Sequence, residues 1–87
     1  MIAPTVHLNG TSKASLLDAV TQAMLSVHDA QVKLREVSPN GRDYYVQPDG
    51  NLRQAEEQFQ GMYARLESVK AELCALSLDI DCQGKKR

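Results

Sequence analysis

Residues 52–80 read LRQAEEQFQGMYARLESVKAELCALSLDI, and this stretch decides the fold. Apolar residues recur in it every seven positions, in two series offset by three, which is typical of a coiled-coil helix. The spacing predicts a helix over residues 52–81, with Asn51 as its N-cap and Gln54 as the capping-box partner. The first series is Leu52, Phe59, Leu66, Leu73 and Ile80, and the second is Ala55, Met62, Val69 and Leu76.

The first half of the chain carries the same kind of pattern, which predicts another helix over residues 12–37. Because two positions of its seam are alanines, the larger residues of the other helix can approach closely. Pro39 stops this helix and the polar residues 49–51 start the next, so we expect an antiparallel two-helix hairpin. The two series are Leu16, Ala23, Ala30 and Val37, and Val20, Val27 and Leu34.

The sequence therefore predicts one all-α domain, with an extended segment at residues 1–11, a linker at 38–51 and a tail at 82–87. Residues 5–8 alternate polar and apolar, as a short strand or a segment lying across the bundle end does. A hairpin leaves apolar positions beside the seam, such as Leu17, Met24 and Tyr63, uncovered. We therefore expect a homo-oligomer, either a four-helix bundle dimer or a higher multiple.

Composition excludes several function classes. Ten basic and eleven acidic residues give a net charge of −1, which supplies no field for holding duplex DNA, so we expect no general nucleic-acid binding. The apolar stretches are too short to cross a bilayer, and the first residues lack the pattern of a signal peptide. We expect a protein of the cytoplasm with no membrane contact.

The linker carries the first candidate site, because solvated connectors have no need of rigid aromatic side chains. An Asn-Gly pair at 40–41 favours a left-handed turn, and the following residues offer guanidinium donors, a carboxylate and flat rings. A planar base with an attached phosphate requires those groups together. The alternative is that one tyrosine plugs the bundle end while the arginine and the aspartate pair. The residues concerned are Asn40, Arg42, Asp43, Tyr44 and Tyr45.

Residues 7–13, HLNGTSK, form the second candidate, where hydroxyls and the free amides of a helix start favour an anion. Helix capping alone explains Thr11 and Ser12 equally well. The residues concerned are His7, Asn9, Thr11, Ser12 and Lys13. In a hairpin this site lies about 37 Å from the linker for about 25 helical residues. An antiparallel pairing of two copies would bring the two candidates into one composite pocket.

No catalytic, metal-binding or cofactor-binding constellation is visible, so we expect a non-enzymatic protein without a cofactor. His28 is expected on the surface, and Cys74 and Cys82 are expected to be buried or part-buried thiols that do not pair within the chain. The charged residues around positions 65–72 are expected to form a solvated helix face.

The HLNGTS motif at 7–12, followed by an amphipathic helix, the PNGRDYY motif at 39–45 and a heptad helix, resembles a family of small tailed-bacteriophage proteins. The resemblance covers residues 5 to about 80. By analogy, small phage proteins of this size resemble oligomeric helical "sponges" that sequester nucleotide signals of bacterial immune systems such as CBASS and Thoeris. The resemblance implies capture of such a signal between copies, with stacking by Tyr44 or Tyr45 and phosphate contacts from Arg42, Lys13 and the backbone amides of residues 9–12.

We therefore expect a phage-type protein that binds a small phosphorylated nucleotide, such as a cyclic oligonucleotide or an ADP-ribose derivative, in the cytoplasm of a host cell. One alternative is a protein–protein adaptor or inhibitor acting on a host or phage protein. Another is an accessory to phage DNA metabolism that contacts DNA through Lys85, Lys86 and Arg87.

Overall fold

The protein is described here by a computed structural model that covers residues 1–83, and this part of the chain is all-α without a strand. Helix α1 spans Lys13–Leu34 and continues as a 3-10 turn over Arg35–Val37. Helix α2 is a short turn over Gly41–Tyr44, and helix α3 spans Asn51–Cys82. The long helices α1 and α3 pack on each other in opposite directions, since the start of α1 contacts the end of α3.

Helix α1 begins where a hydroxyl is available to cap it. Ser12 has an extended backbone conformation, and its Oγ accepts a hydrogen bond from the Ser15 backbone N–H at 3.1 Å. A capping hydroxyl satisfies one of the free N–H groups of the first turn. The capping interpretation of Ser12 is therefore confirmed.

The start of α3 differs from the prediction. Gly50, not Asn51, is the N-cap, and it has φ +93°, the only positive φ among residues 1–83. Such a conformation strains any residue with a Cβ, so the chain reversal depends on this glycine. Asn51 is already helical, and its Nδ2 donates to Gln47 Oε1 at 3.0 Å. The left-handed turn predicted at 40–41 was also wrong, because Gly41 is the first residue of α2.

The apolar core lies at one end of the helix pair. Its buried members are Val20, Leu76 and Ile80. Two residues of the extended N-terminal segment, Ala3 and Val6, pack against them. Residues 3–6, called the strap below, therefore lie across the core at this end and form no strand.

A glutamine side chain holds the strap in place. Gln83 Oε1 accepts from the Val6 backbone N–H at 2.8 Å, and Gln83 Nε2 donates to Pro4 O at 2.8 Å. In this pair of hydrogen bonds the side-chain amide of Gln83 takes the place that the backbone of a second strand has in a β-sheet. The strap keeps its backbone paired without sheet formation.

The heptad periodicity predicts the helices correctly and the faces that meet in part. One of the two heptad series of each helix is buried or half-buried, as expected. Met62 and Val69, also expected inside the seam, are 41 % and 42 % exposed, whereas Gln31 is 1 % exposed. Leu17 and Tyr63, expected to be uncovered, are both half-buried, so the contact is shifted toward the side that carries Gln31 and Tyr63.

Candidate functional site

The linker is ordered by its own short helix. Asn40 caps α2: its Oδ1 accepts from the Asp43 backbone N–H at 3.1 Å, and its Nδ2 donates to Asp43 Oδ2 at 3.0 Å. The Asp43 carboxylate is therefore engaged by Asn40 rather than by Arg42, so the expected pairing of Arg42 with Asp43 does not form. Within residues 1–83, Arg42 is exposed and has no hydrogen-bond or ion-pair partner.

The two adjacent tyrosines have different environments. Tyr44 is half-buried and separates two shallow cavities, of about 250 and 280 Å³, that lie between α2 and its flanking loops. Tyr45 is 80 % exposed and borders the smaller of these cavities together with Pro48 and Gly50. Tyr44 thus fills space within the linker, as the plug interpretation requires of one ring, while Tyr45 presents its ring to solvent.

Lys13, from the second candidate site, is occupied by the other end of the chain. Its Nζ donates to Asp81 O at 2.6 Å and to Gln83 O at 2.8 Å. A lysine that bonds the last carbonyls of a helix satisfies acceptors that have no partner within the helix. The ammonium group therefore closes the end of α3, while the Asn9 and Thr11 side chains are exposed.

The turn before α1 is closed by a histidine. The Gly10 backbone N–H donates to His7 O at 3.1 Å, and a Cβ added at Gly10 would lie 2.6 Å from His7 Nε2. A side chain at position 10 would therefore require the exposed His7 ring to move. The turn itself is closed by the backbone bond between Gly10 and His7.

The structure does not bring the two predicted sites together within one chain. The linker follows the last turn of α1, while Lys13 begins that helix and contacts the end of α3. The 22 residues of α1 correspond to about 33 Å. The residues 7–13 and 40–45 therefore form two separate surfaces at opposite ends of the helix pair, as the sequence predicts for a single copy.

An apolar groove on α3 was missed at the sequence level. It has a volume of about 750 Å³ and is lined by Phe59, Tyr63, Ala64, Ala71, Glu67 and Arg35. The Arg35 guanidinium lies 5.7 Å from the Tyr63 ring centroid and donates to Tyr63 Oη at 2.9 Å. Phe59 and Tyr63, four residues apart, lie on the same helix face, with ring centroids 6.4 Å apart. The four-residue spacing of these two aromatic residues was the sequence signal that could have predicted the groove.

A polar network joins the last turns of α1 to the middle of α3. Gln31 Nε2 donates to Glu67 Oε2 at 2.7 Å, and Lys70 Nζ donates to Gln31 Oε1 at 2.8 Å. Lys70 also lies 3.3 Å from Glu67 and 3.4 Å from His28 Nδ1. Arg65, Glu67 and Glu72 are exposed, as expected of a solvated helix face, whereas Lys70 is half-buried because it reaches across to α1.

This network stabilises the ionised form of Glu67. Hydrogen bonds from Gln31 and then from Lys70 hold the pKa of Glu67 below its ordinary value. A carboxylate with a lowered pKa stabilises the fold at neutral pH, and this contribution is lost as the pH falls through that pKa. The interaction links both helices at one register, since Gln31 comes from α1 and the charged pair from α3.

The remaining titratable groups give no sign of a metal centre. Cys74 and Cys82 are free and both exposed, so the expectation of buried or part-buried thiols was wrong. Within residues 1–83, no cluster of three or more His, Cys, Asp or Glu side chains has the arrangement of a metal site. Lys85, Lys86 and Arg87, the proposed DNA contacts, lie outside the described residues.

Comparison of the chain with protein-family models, with curated proteins and with solved structures finds no match. In the part of the chain that the structure describes, no helix combines the length and apolarity needed to span a membrane.

Proposed function

We propose that this protein is non-enzymatic and sequesters a small phosphorylated nucleotide, such as a cyclic oligonucleotide or ADP-ribose derivative that serves as an immune signal. In this proposal the antiparallel hairpin assembles into an oligomeric helical bundle, and the ligand is held between copies. The single observation that carries the proposal is the unpartnered Arg42 beside the exposed ring of Tyr45, both on a capped helical turn.

The two side chains have complementary roles. Arg42 supplies a planar fork of five N–H donors, which matches the oxygen atoms of a phosphate. An exposed tyrosine ring stacks on a nucleobase whatever its sequence identity. Because Asn40 fixes Asp43 and Tyr44 fills the linker, the two ligand-binding side chains project from a turn that is already ordered. An ordered site loses less conformational entropy when a ligand binds.

The residues 7–13 take a smaller part in this proposal than the sequence predicts. Since Lys13 and Ser12 are engaged in the caps of α3 and α1, the side chains left for a ligand are those of Asn9 and Thr11. They contribute only if a second copy brings them to the linker.

Calorimetric titration with a panel of cyclic dinucleotides, cyclic trinucleotides and ADP-ribose derivatives tests the ligand class. We expect one member to bind and to be released chemically intact when the protein is denatured. For that member, Arg42→Ala and Tyr45→Ala should each weaken affinity by about tenfold or more, because a charged hydrogen bond and a stacked ring each contribute about 1–3 kcal/mol.

Arg53→Ala is the matched control for the arginine substitution. Arg53 is exposed and makes only a surface pair with Glu57 at 3.6 Å, so its removal should leave the affinity unchanged. If no panel member binds, or if the Arg42 and Arg53 variants bind equally well, the proposal is wrong. Helix content measured by circular dichroism must stay constant in all variants for the comparison to count.

The groove beside Phe59 and Tyr63 favours the second candidate function, a protein–protein adaptor. Its lining is predominantly apolar, with aromatic rings and an arginine, which are the side chains enriched at interface hot spots. An adaptor of this kind would bind a protein through Tyr63 and would be unaffected by Arg42→Ala.

A further inference from the structure

One side of the helix pair is apolar on both helices. Successive residues of a helix are rotated by about 100° around its axis. One heptad series of α1 and one of α3 therefore lie on the same side of the helix pair, opposite the side where Arg35 contacts Tyr63. This side is called the open face. It consists of Leu16, Ala23, Ala30 and Val37 from α1, and of Ala55, Met62, Val69 and Leu76 from α3.

The strap covers only half of the open face. At the strap end, Leu76 is 6 % exposed, and Ala3 and Val6 pack against the core cluster that contains it. At the linker end Ala55 borders a cavity with residues of the linker, but Val37 is 68 % exposed and Met62 and Val69 exceed 40 %. The strap-end half of the open face is therefore covered within one copy, and the linker-end half is exposed to solvent.

The charges at the edge of the open face indicate what covers it. Arg65 and Glu72 both border this face on α3, and neither has a salt-bridge partner within residues 1–83. They have opposite charges, they are seven residues apart, and Val69 lies between them. In an antiparallel helix pair centred on Val69, Glu72 of one copy lies about 1.5 Å along the axis from the level of Arg65 of the other, which is within side-chain reach, so one twofold axis satisfies both charges.

The same axis pairs the covered half with the uncovered half. Met62 and Leu76 lie seven residues on either side of Val69. Rotation about the axis therefore places the strap of one copy over the exposed linker-end half of the other. Met1 and Ile2, which precede the strap and are 87 % and 94 % exposed, supply further apolar surface at that location.

The geometry points to a twofold antiparallel dimer of this chain, formed through the open face with its axis at Val69 and with reciprocal Arg65–Glu72 pairs. The occupant of the exposed face is thus a second copy, and the result is a four-helix bundle. This inference rests on the self-association in the proposed function but not on the ligand, and it names the surface, the direction and the register.

The size of the face is adequate for such an interface. From Ala55 to Leu76 the helix rises about 32 Å at 1.5 Å per residue, and the helix pair is 20 Å wide. The resulting projected area, about 600 Å² per copy, lies close to the ~800 Å² per partner of a stable interface once side-chain relief is added.

This register also brings the two candidate sites together. Asn51 lies 18 residues before the axis and Gln83 lies 14 residues after it, a difference of about 6 Å along the bundle. Because Lys13 is bonded to Gln83, the turn at residues 7–13 of the second copy comes beside the linker of the first. Asn9 and Thr11 are then near Arg42 and Tyr45 of the other copy.

Disulfide trapping tests the direction and the register. In a background of Cys74→Ser and Cys82→Ser, we expect Val69→Cys to form an interchain disulfide on mild oxidation, because residues on the axis face their own copies. Met62→Cys is the matched control, similarly exposed, and it should not cross-link with itself, because the two copies of this residue are about 21 Å apart. Cross-linking of both variants, of neither, or of Met62→Cys alone overturns the proposal.

Charge reversal tests the reciprocal pairs by sedimentation without any nucleotide. Arg65→Glu should weaken the dimer by about tenfold, since like charges then meet twice, and the added change Glu72→Arg should restore it. Glu56→Arg, an exposed charge outside the open face, should change nothing. An unaffected dimer in Arg65→Glu, or a double variant no better than the single one, contradicts the register. Since no ligand is present, failure of the nucleotide proposal leaves this result unchanged.

Discussion

At the scale of single residues, Gln31 is the side chain that relates the two long helices to each other. It is 1 % exposed, whereas the other buried side chains among residues 1–83 are apolar, and both polar atoms of its amide group are bonded to α3. A buried amide that loses its partners is destabilising, so a shift of one helix along the other breaks these bonds. Apolar residues alone would tolerate several registers, whereas this side chain favours one.

Gln31→Ala should destabilise the protein by about 1–3 kcal/mol, because it removes two hydrogen bonds to charged groups and leaves a void. Gln31→Leu should cost less, since it refills the space and Glu67 can still pair with Lys70 at 3.3 Å. Urea denaturation at one fixed protein concentration measures both. Gln22→Ala, an exposed glutamine of the same helix, serves as the control; an equal loss in all three variants would contradict the role assigned to Gln31.

At the scale of elements, the heptads predict where the long helices lie and only in part how they face each other. The expected range 12–37 contains α1 and its 3-10 turn, and the expected range 52–81 differs from α3 by one residue at each end. Periodicity depends on local sequence, whereas the exact contact also involves Gln31, Tyr63 and Lys70, which reach partners on the other helix. From the sequence alone, such polar side chains are expected on the surface, because their partners on the other helix are not known.

In the candidate site, too, local features could be predicted from the sequence and long-range contacts could not. The cap at Ser12 was predictable, because capping is a local interaction of one side chain with the next turn. The hydrogen bonds from Lys13 to carbonyl groups 68 and 70 residues away were not predictable, because no local sequence pattern indicates a contact of that range. The helical turn at Gly41–Tyr44 was also missed, because a four-residue helix carries no periodicity.

The strap is held by the side chain of Gln83, the residue that follows α3, and by apolar contacts with the core. Gln83→Ala removes both bonds to residues 4 and 6, and it should raise the amide hydrogen exchange of Val6 by about tenfold while α1 exchanges as before. Gln58→Ala, an exposed glutamine of α3, is the control. Unchanged exchange at Val6 in the Gln83 variant would mean that the apolar contacts of the strap hold it alone.

At the scale of the whole molecule, a single copy is a rod with little interior. It measures 62 × 20 × 19 Å with a radius of gyration of 19.1 Å, against roughly 12 Å for a compact domain of this length. Only three apolar side chains are buried among residues 1–83, and large apolar residues remain exposed on both long helices. The stability of such a chain is expected to depend on association.

The melting temperature should therefore rise with protein concentration, by several degrees over a hundredfold range, as mass action requires for a folded dimer. Val69→Glu should lower the melting temperature and abolish this dependence, because a charge is placed at the dimer axis. Val32→Glu is the matched control, since Val32 is 41 % exposed on the other side of the pair and Val69 is 42 % exposed. Differential scanning calorimetry at several concentrations decides; a constant melting temperature, or equal effects of the two substitutions, would refute the dependence.

The bonds that close the end of α3 have a consequence for the order of events during synthesis. Lys13 and Val6 leave the ribosome roughly 70 residues before Gln83, so the contacts that finish both chain ends are among the last to form. Because these contacts close loops of roughly 70 residues, folding is expected to be slower than in helical proteins whose contacts are mainly local. The nascent chain is expected to expose the apolar side of α1 until α3 has been synthesised.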